Sequence, residues 1–95
     1  MKLHQKGFLL TALHDKKILW DHELISALVS EYGPPGRYGV NNVRVALDEM
    51  ASGGMIERTE RRLDDGTHVE AGKVLFRYRL TAFGVARMAA TGLLL

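Results

Sequence analysis

Two short runs of this 95-residue chain concentrate the groups most able to do chemistry. Residues 56–62 and 73–80 hold Arg58, Arg61, Arg62, Lys73, Arg77 and Arg79 against only Glu57 and Glu60, a surplus of four positive charges. Guanidinium groups at this density can straddle phosphates or enter a minor groove. On a solvated sheet they can equally form cross-strand pairs with the interleaved glutamates. Between the runs, residues 63–72 carry Asp64, Asp65 and Glu70, an acidic tip that argues against deep insertion of the whole segment. A second group, Asn41, Asn42 and Arg44, opens an amphipathic stretch. Asparagine can bond adenine in a bidentate manner and arginine can do the same with guanine. The asparagines can also simply cap a helix. Asp48, further along, can accept from a cytosine amine, although a solvated helix face is the commoner role for such a residue. Arg37 and Tyr38 sit in a Gly/Pro-rich connection that can project.

Other chemistries find no foothold. His4, His14, His22 and His68 include no pair at the i, i+4 spacing of a helical metal site, so no metal is expected. There is no cysteine, hence no disulfide framework and no thiolate zinc site. Ser26, Ser30 and Ser52 lack a nucleophile-type context. Gly33-Pro34-Pro35-Gly36 lacks the lysine and following helix of a phosphate-binding loop. We therefore expect neither an enzyme nor a cofactor. Hydrophobic residues at 46% and charged residues at 25% are typical of a soluble globule, and no apolar run approaches the roughly 18 residues of a membrane span. The basic start, Met1 to Lys6, is not followed by a secretory apolar segment, so a cytoplasmic protein is expected. The net charge of +2 permits a nucleic-acid partner without demanding one.

The elements that must position these groups follow from periodicity. A single domain over residues 1–95 is expected. A first helix is read over residues 3–14, weakened by Gly7. Ile18-Leu19-Trp20 reads as a brief strand. Asp21 suits the N-cap of a second helix, with Trp20 stapled onto Ile25 and buried between helices one and two. Gly33 and the two prolines stop that helix. In the third helix, Val43, Ala46, Leu47 and Met50 fall at i, i+3, i+4, i+7 and form one buried stripe. Gly53-Gly54 ends it. Two β segments follow, residues 55–63 and 73–80, with Asp65-Gly66 as a hairpin turn pair, in which case Glu70-Ala71-Gly72 must pair or bulge and the register stays open. In the second, Val74, Phe76, Tyr78 and Leu80 should face the core and Lys73, Arg77 and Arg79 point outward. Thr81 caps a last helix and Gly92 stops it. Its small apolar residues, with Leu93, Leu94 and Leu95, offer more apolar surface than a chain this short readily covers.

Three stretches resemble a known family. Leu9-Leu10-Thr11-Ala12-Leu13 running to Ile18-Leu19-Trp20-Asp21-His22-Glu23-Leu24 looks like a first helix leading into a second. Val43 to Glu57 looks like a recognition helix and its exit. Tyr78-Arg79-Leu80-Thr81-Ala82-Phe83-Gly84 looks like a last wing strand entering a dimerisation helix. Together they resemble the winged helix-turn-helix transcriptional regulators, most of all the PadR-like and MarR-like repressors. The resemblance implies an α+β fold of three N-terminal helices, a two-stranded β-wing and a C-terminal helix. It implies a repressor that is a homodimer through its first and last helices and reads an inverted repeat in double-stranded DNA. The DNA-binding residues would then be Arg37, Asn41, Asn42, Arg44, Arg58, Arg61, Arg62, Lys73 and Arg77. Asp48 and Glu49 lie where such repressors often carry basic or neutral residues, and the C-terminal region is short for a PadR-like protein. The alternative is an adaptor that uses the same fold to bind another protein. A single-strand or RNA binder would need exposed aromatics, for which Tyr38 is the one candidate.

Overall fold

The computed structural model describes residues 5–33 and 39–93 and, within them, all side chains but those of Val40 and Asn41. Arg37, Tyr38, the terminal leucines 94 and 95 and the Asn41 side chain therefore lie outside the described residues. Leu9, Leu10 and Leu13 form the buried stripe of α1 (Gln5–Lys16). Lys17 ends that helix in a left-handed conformation, φ 75°, with its N–H bonded to the Leu13 carbonyl at 2.8 Å. The turn leads into a brief strand, β1 (Ile18–Trp20). In α2 (Asp21–Tyr32), Glu23 reaches back and accepts the Trp20 N–H at 2.8 Å, satisfying a donor that the helix start would leave open. Gly33, φ 88°, closes the helix through its N–H to Val29.

The third helix, α3 (Gly39–Ser52), buries Val43, Ala46, Leu47 and Met50, the stripe expected from their spacing. The strands β2 (Ile56–Leu63) and β3 (Val74–Leu80) form an antiparallel hairpin. β1 pairs with the other edge of β3, Leu19 opposite Tyr78, so the sheet order is β1-β3-β2. The sheet thus has three strands, not the two expected of a bare hairpin. The last helix, α4 (Ala82–Ala90), starts at Thr81, whose hydroxyl accepts the Gly84 N–H at 2.9 Å and donates to the Gly54 carbonyl at 2.6 Å. A Cβ on Gly84 would stand 2.0 Å from the Met55 carbonyl oxygen, so only glycine lets α4 meet the exit of α3.

One core joins these elements: Leu9, Leu10, Leu13, Leu24, Leu28, Val43, Ala46, Leu47, Met50, Ile56, Tyr78 and Met88. Full burial of one such leucine contributes about 1.5–3 kcal/mol. Three expectations need correction. Trp20 is not buried between α1 and α2. It pairs with Arg77 in the sheet, and the side chain opposite it fixes its face as the one away from the core. Asp21 is not the N-cap. It lies inside the helix start, 1% exposed, and its carboxylate bonds inward. Val74 has the expected facing but runs past the end of the core and is exposed, whereas Leu75, read as neither, is buried.

Candidate nucleic-acid interface

Helix α3 exposes Asn42, Val45, Asp48, Glu49 and Ser52. Its two acids are not free. Asp48 forms an ion pair with Arg58 of β2, and Glu49 pairs with Lys6 of α1 at 2.6 Å. Arg58 also donates to the Tyr78 hydroxyl at 3.4 Å and lies over the Phe76 ring, 4.6 Å from its centroid. The Tyr78 bond, ahead of the nearby Asp48 charge, raises Arg58 above its already high ordinary value, so it is a permanent cation. Burial pushes the Tyr78 phenol up, against the pull of Arg58. Arg44, expected to point outward, instead turns in. Its Nη1 lies 3.3 Å from the buried Asp21 carboxylate. That carboxylate also accepts the backbone N–H groups of His22 at 2.7 Å and Phe76 at 3.3 Å. It ties α2, α3 and β3 at one point, and a charge this deep needs those partners.

The hairpin sorts its charges by face, and a β-bulge does the sorting. Arg58 is opposite Tyr78, but Glu60 is opposite Arg77, so Thr59 is an extra residue. Its hydroxyl accepts from Arg77 Nε at 3.1 Å, which secures the bulge. Beyond it the alternation changes phase. Arg61 falls opposite Phe76 and Leu63 opposite Val74, on the same face as Arg58 and toward α3. Glu60 and Arg62 fall on the other face. The glutamates are spent there: Glu57 pairs with Arg79, and Glu60 lies 3.1 Å from Arg77 and 3.7 Å from Arg62. Among the described residues, the α3 side of β2 therefore carries Arg58 and Arg61 and no acid of its own.

The far face is closed over by the segment linking the strands. Arg62 and Arg77 lie over the Trp20 ring, 4.8 and 5.6 Å from its centroid. Cation–π contacts of this kind are worth about 0.5–1 kcal/mol at an exposed site. Trp20 stacks on His22, and His22 on His68 with centroids 4.2 Å apart, so the linking segment folds back toward α2. Asp64 anchors that fold. Its carboxylate accepts backbone N–H groups from Gly66, His68, Val69 and Glu70 at 2.6–3.3 Å. Desolvation would raise its pKa, but these four donors outweigh it and hold the group down at about 2. The segment is thus a loop built around one carboxylate, not a two-residue turn at Asp65-Gly66. It also explains Leu75, which lines a small cleft with Asp64 and His68.

Of the residues read as DNA-binding, the structure pairs Arg58 with Asp48 of α3 and sets Arg61 on the same face of β2, and Asn42 is exposed on α3. It directs Arg44 to Asp21 and sets Arg62 and Arg77 on the opposite face of the sheet. Lys73 stands exposed before β3. Arg37 and the Asn41 side chain lie outside the described residues. The sequence reading placed Val45 off the buried stripe of α3, where it is exposed, but did not single it out, and it missed the exposed pair Leu63 and Val74. An apolar residue at a polar phase of the helix was the available signal for Val45. No group of three or more metal-ligating side chains occurs among the described residues. No protein-family model matches the chain, and neither a curated protein nor a solved structure is significantly similar to it.

Proposed function

We propose that the chain is a winged helix-turn-helix protein that binds double-stranded DNA in a sequence-specific manner and acts as a dimeric transcriptional repressor. In this reading α2 and α3 are the helix-turn-helix, α3 lies in a major groove, and β2–β3 is the wing. The element order and the β1-β3-β2 sheet support the fold assignment. The observation that carries the function is the sorting of charge across the hairpin. The side of β2 that adjoins α3 holds Arg58 and Arg61, while Glu57 and Glu60 are consumed on the other side. Asn42 and Val45 are the base-reading candidates: an amide for adenine, and a methyl-bearing surface for thymine. Arg44 acts mainly from behind, through Asp21. Arg61 is the leading phosphate contact.

The adaptor reading drew its motive from the acids of α3 and the modest net charge. The pairing of those acids with Arg58 and Lys6 supports the DNA reading over it. The exposed apolar residues of α4, with Phe83 54% exposed, support a two-fold dimer. Selection of binding fragments from genomic DNA tests the proposal. The expected product is an inverted repeat with half-sites about one helical turn apart. Recovery of no preferred sequence would count against it.

A further inference from the structure

We propose that the closed end of the β2–β3 hairpin is a docking surface for a protein segment that carries basic and apolar side chains. This surface needs neither α3 nor a duplex. The way the chain disposes of its acids points to it. Asp21 faces Arg44, Asp48 faces Arg58, Glu49 faces Lys6, Glu57 faces Arg79, and Glu60 faces Arg77 and Arg62. Asp64, Asp65 and Glu70 differ. Among the described residues, none of the three forms an ion pair, not even with the nearby Lys73. Asp64 is held by four backbone N–H groups and Asp65 by Thr67, whose N–H it accepts at 3.0 Å. The exposed Glu70 carboxylate has no partner among the described residues. The hairpin end is therefore where negative charge is left without a cation.

Apolar side chains stand beside these acids. Leu63 is 67% exposed, Val74 opposite it 39%, and Val69 in the loop 44%. Apolar surface rimmed by charge marks a contact site. It is also preformed. Besides the Asp64 bonds, the Gly72 N–H donates to the Asp64 carbonyl at 2.9 Å and the Lys73 N–H to that of Glu70 at 3.1 Å. His68 stacks on His22 of α2. Docking thus has little loop ordering to offset.

Charge and apolarity together choose the occupant. A phosphate backbone would meet carboxylates that no cation neutralises. A metal ion or a polyamine would satisfy Glu70 and Asp65 but leave Leu63, Val69 and Val74 uncovered. A segment with lysine or arginine flanking aliphatic side chains satisfies both. Arg61, two residues up the strand on the face of Leu63, sets the orientation. The partner's basic side chains belong over the loop at Asp65 and Glu70, and its apolar ones over Leu63 and Val74.

The test selects random short peptides displayed on phage against the full chain. Selected peptides should carry lysine or arginine beside leucine, isoleucine or valine, and a synthetic copy should bind the chain in solution. Glu70→Lys and Leu63→Ser should each weaken that binding about ten-fold or more. Both side chains are exposed, so melting temperatures should not change. A peptide with its basic residues changed to glutamate should regain affinity for Glu70→Lys, a rescue that a misfolded variant could not give. A library that yields no peptide, acidic peptides, or peptides indifferent to both substitutions overturns the proposal. Loss of self-association in Leu63→Ser, with peptide binding unchanged, overturns it in favour of a second copy. Loss of duplex affinity in Leu63→Ser, with peptide binding unchanged, overturns it in favour of DNA.

Discussion

Two carboxylates with opposite surroundings show how single residues set the behaviour of this surface. Asp48 is exposed and occupies Arg58, a cation that the proposed DNA binding would otherwise give to a phosphate. Such a surface pair contributes at most about 1 kcal/mol to stability. Asp48→Asn should therefore leave the melting temperature nearly unchanged. It should raise affinity for random duplex about two- to ten-fold and steepen the salt dependence by close to one phosphate contact. An unchanged salt slope would show that Arg58 never reaches DNA. Asp64 is buried in the linking loop and its pKa of about 2 lies below the roughly 3.9 of an unfolded aspartate. The sign follows directly: a depressed carboxylate pKa adds stability above the unfolded value, and that contribution is lost as pH falls from about 4 through 2. Carbon-detected titration of Asp64 should give a midpoint near 2, with amide protection at residues 68–70 fading over the same range. A midpoint near 4 would contradict the four-donor geometry. Arg44 serves the fold through Asp21. Arg44→Ala removes one partner of the buried Asp21 carboxylate and should cost about 1–3 kcal/mol by denaturant unfolding.

At the scale of elements, the bulge at Thr59 matters most. It decides which of the neighbours Arg61 and Arg62, on opposite faces of the strand, lies on the α3 side: Arg61. Arg61→Ala should weaken DNA binding and flatten its salt slope, whereas Arg62→Ala should do little beyond freeing Trp20. Equal effects in filter-binding titrations would argue against the sorting. The junction of α3 and α4 is equally specific. Gly84→Ala forces a methyl into the Met55 carbonyl and should destabilise by about 1–3 kcal/mol or more, visible as a lower melting temperature. The helices and the hairpin were legible in the sequence because periodicity and glycine stops are local signals: the α3 stripe and both strand boundaries were read to within a residue or two. The facing of the hairpin residues was not, because one inserted residue reverses every side chain beyond it and strict alternation cannot reveal it. Trp20 was misread for a related reason. A hydrophobic staple and a strand residue predict the same tryptophan, and pairing with β3 decided between them. The inward turn of Arg44 depends on a contact across 23 residues and left no local pattern, whereas the anchoring by Asp64 spans 2 to 6 residues and begins with an Asx-type turn that the sequence reading passed over.

For the molecule as a whole, a net charge of +2 conceals a strong local asymmetry. The α3 side of β2 carries Arg58, paired with Asp48 of α3, and Arg61, while apolar side chains gather on α4. Phe83→Glu should shift a dimer toward monomer in sedimentation runs at tens of micromolar (roughly, the range in which a weak dimer should appear). It should leave the monomer's helical content intact, because Phe83 is largely outside the core. A wild-type protein that is already monomeric there would remove the dimer from the account. The most direct test of DNA binding is a salt titration of affinity for the selected inverted repeat and for a scrambled duplex of equal length. The account predicts a repeat bound at least about a thousand-fold more tightly than the scramble. It also predicts log K falling with log salt at a slope of several phosphates per dimer. Equal affinity for both duplexes, with a slope near zero, would contradict it.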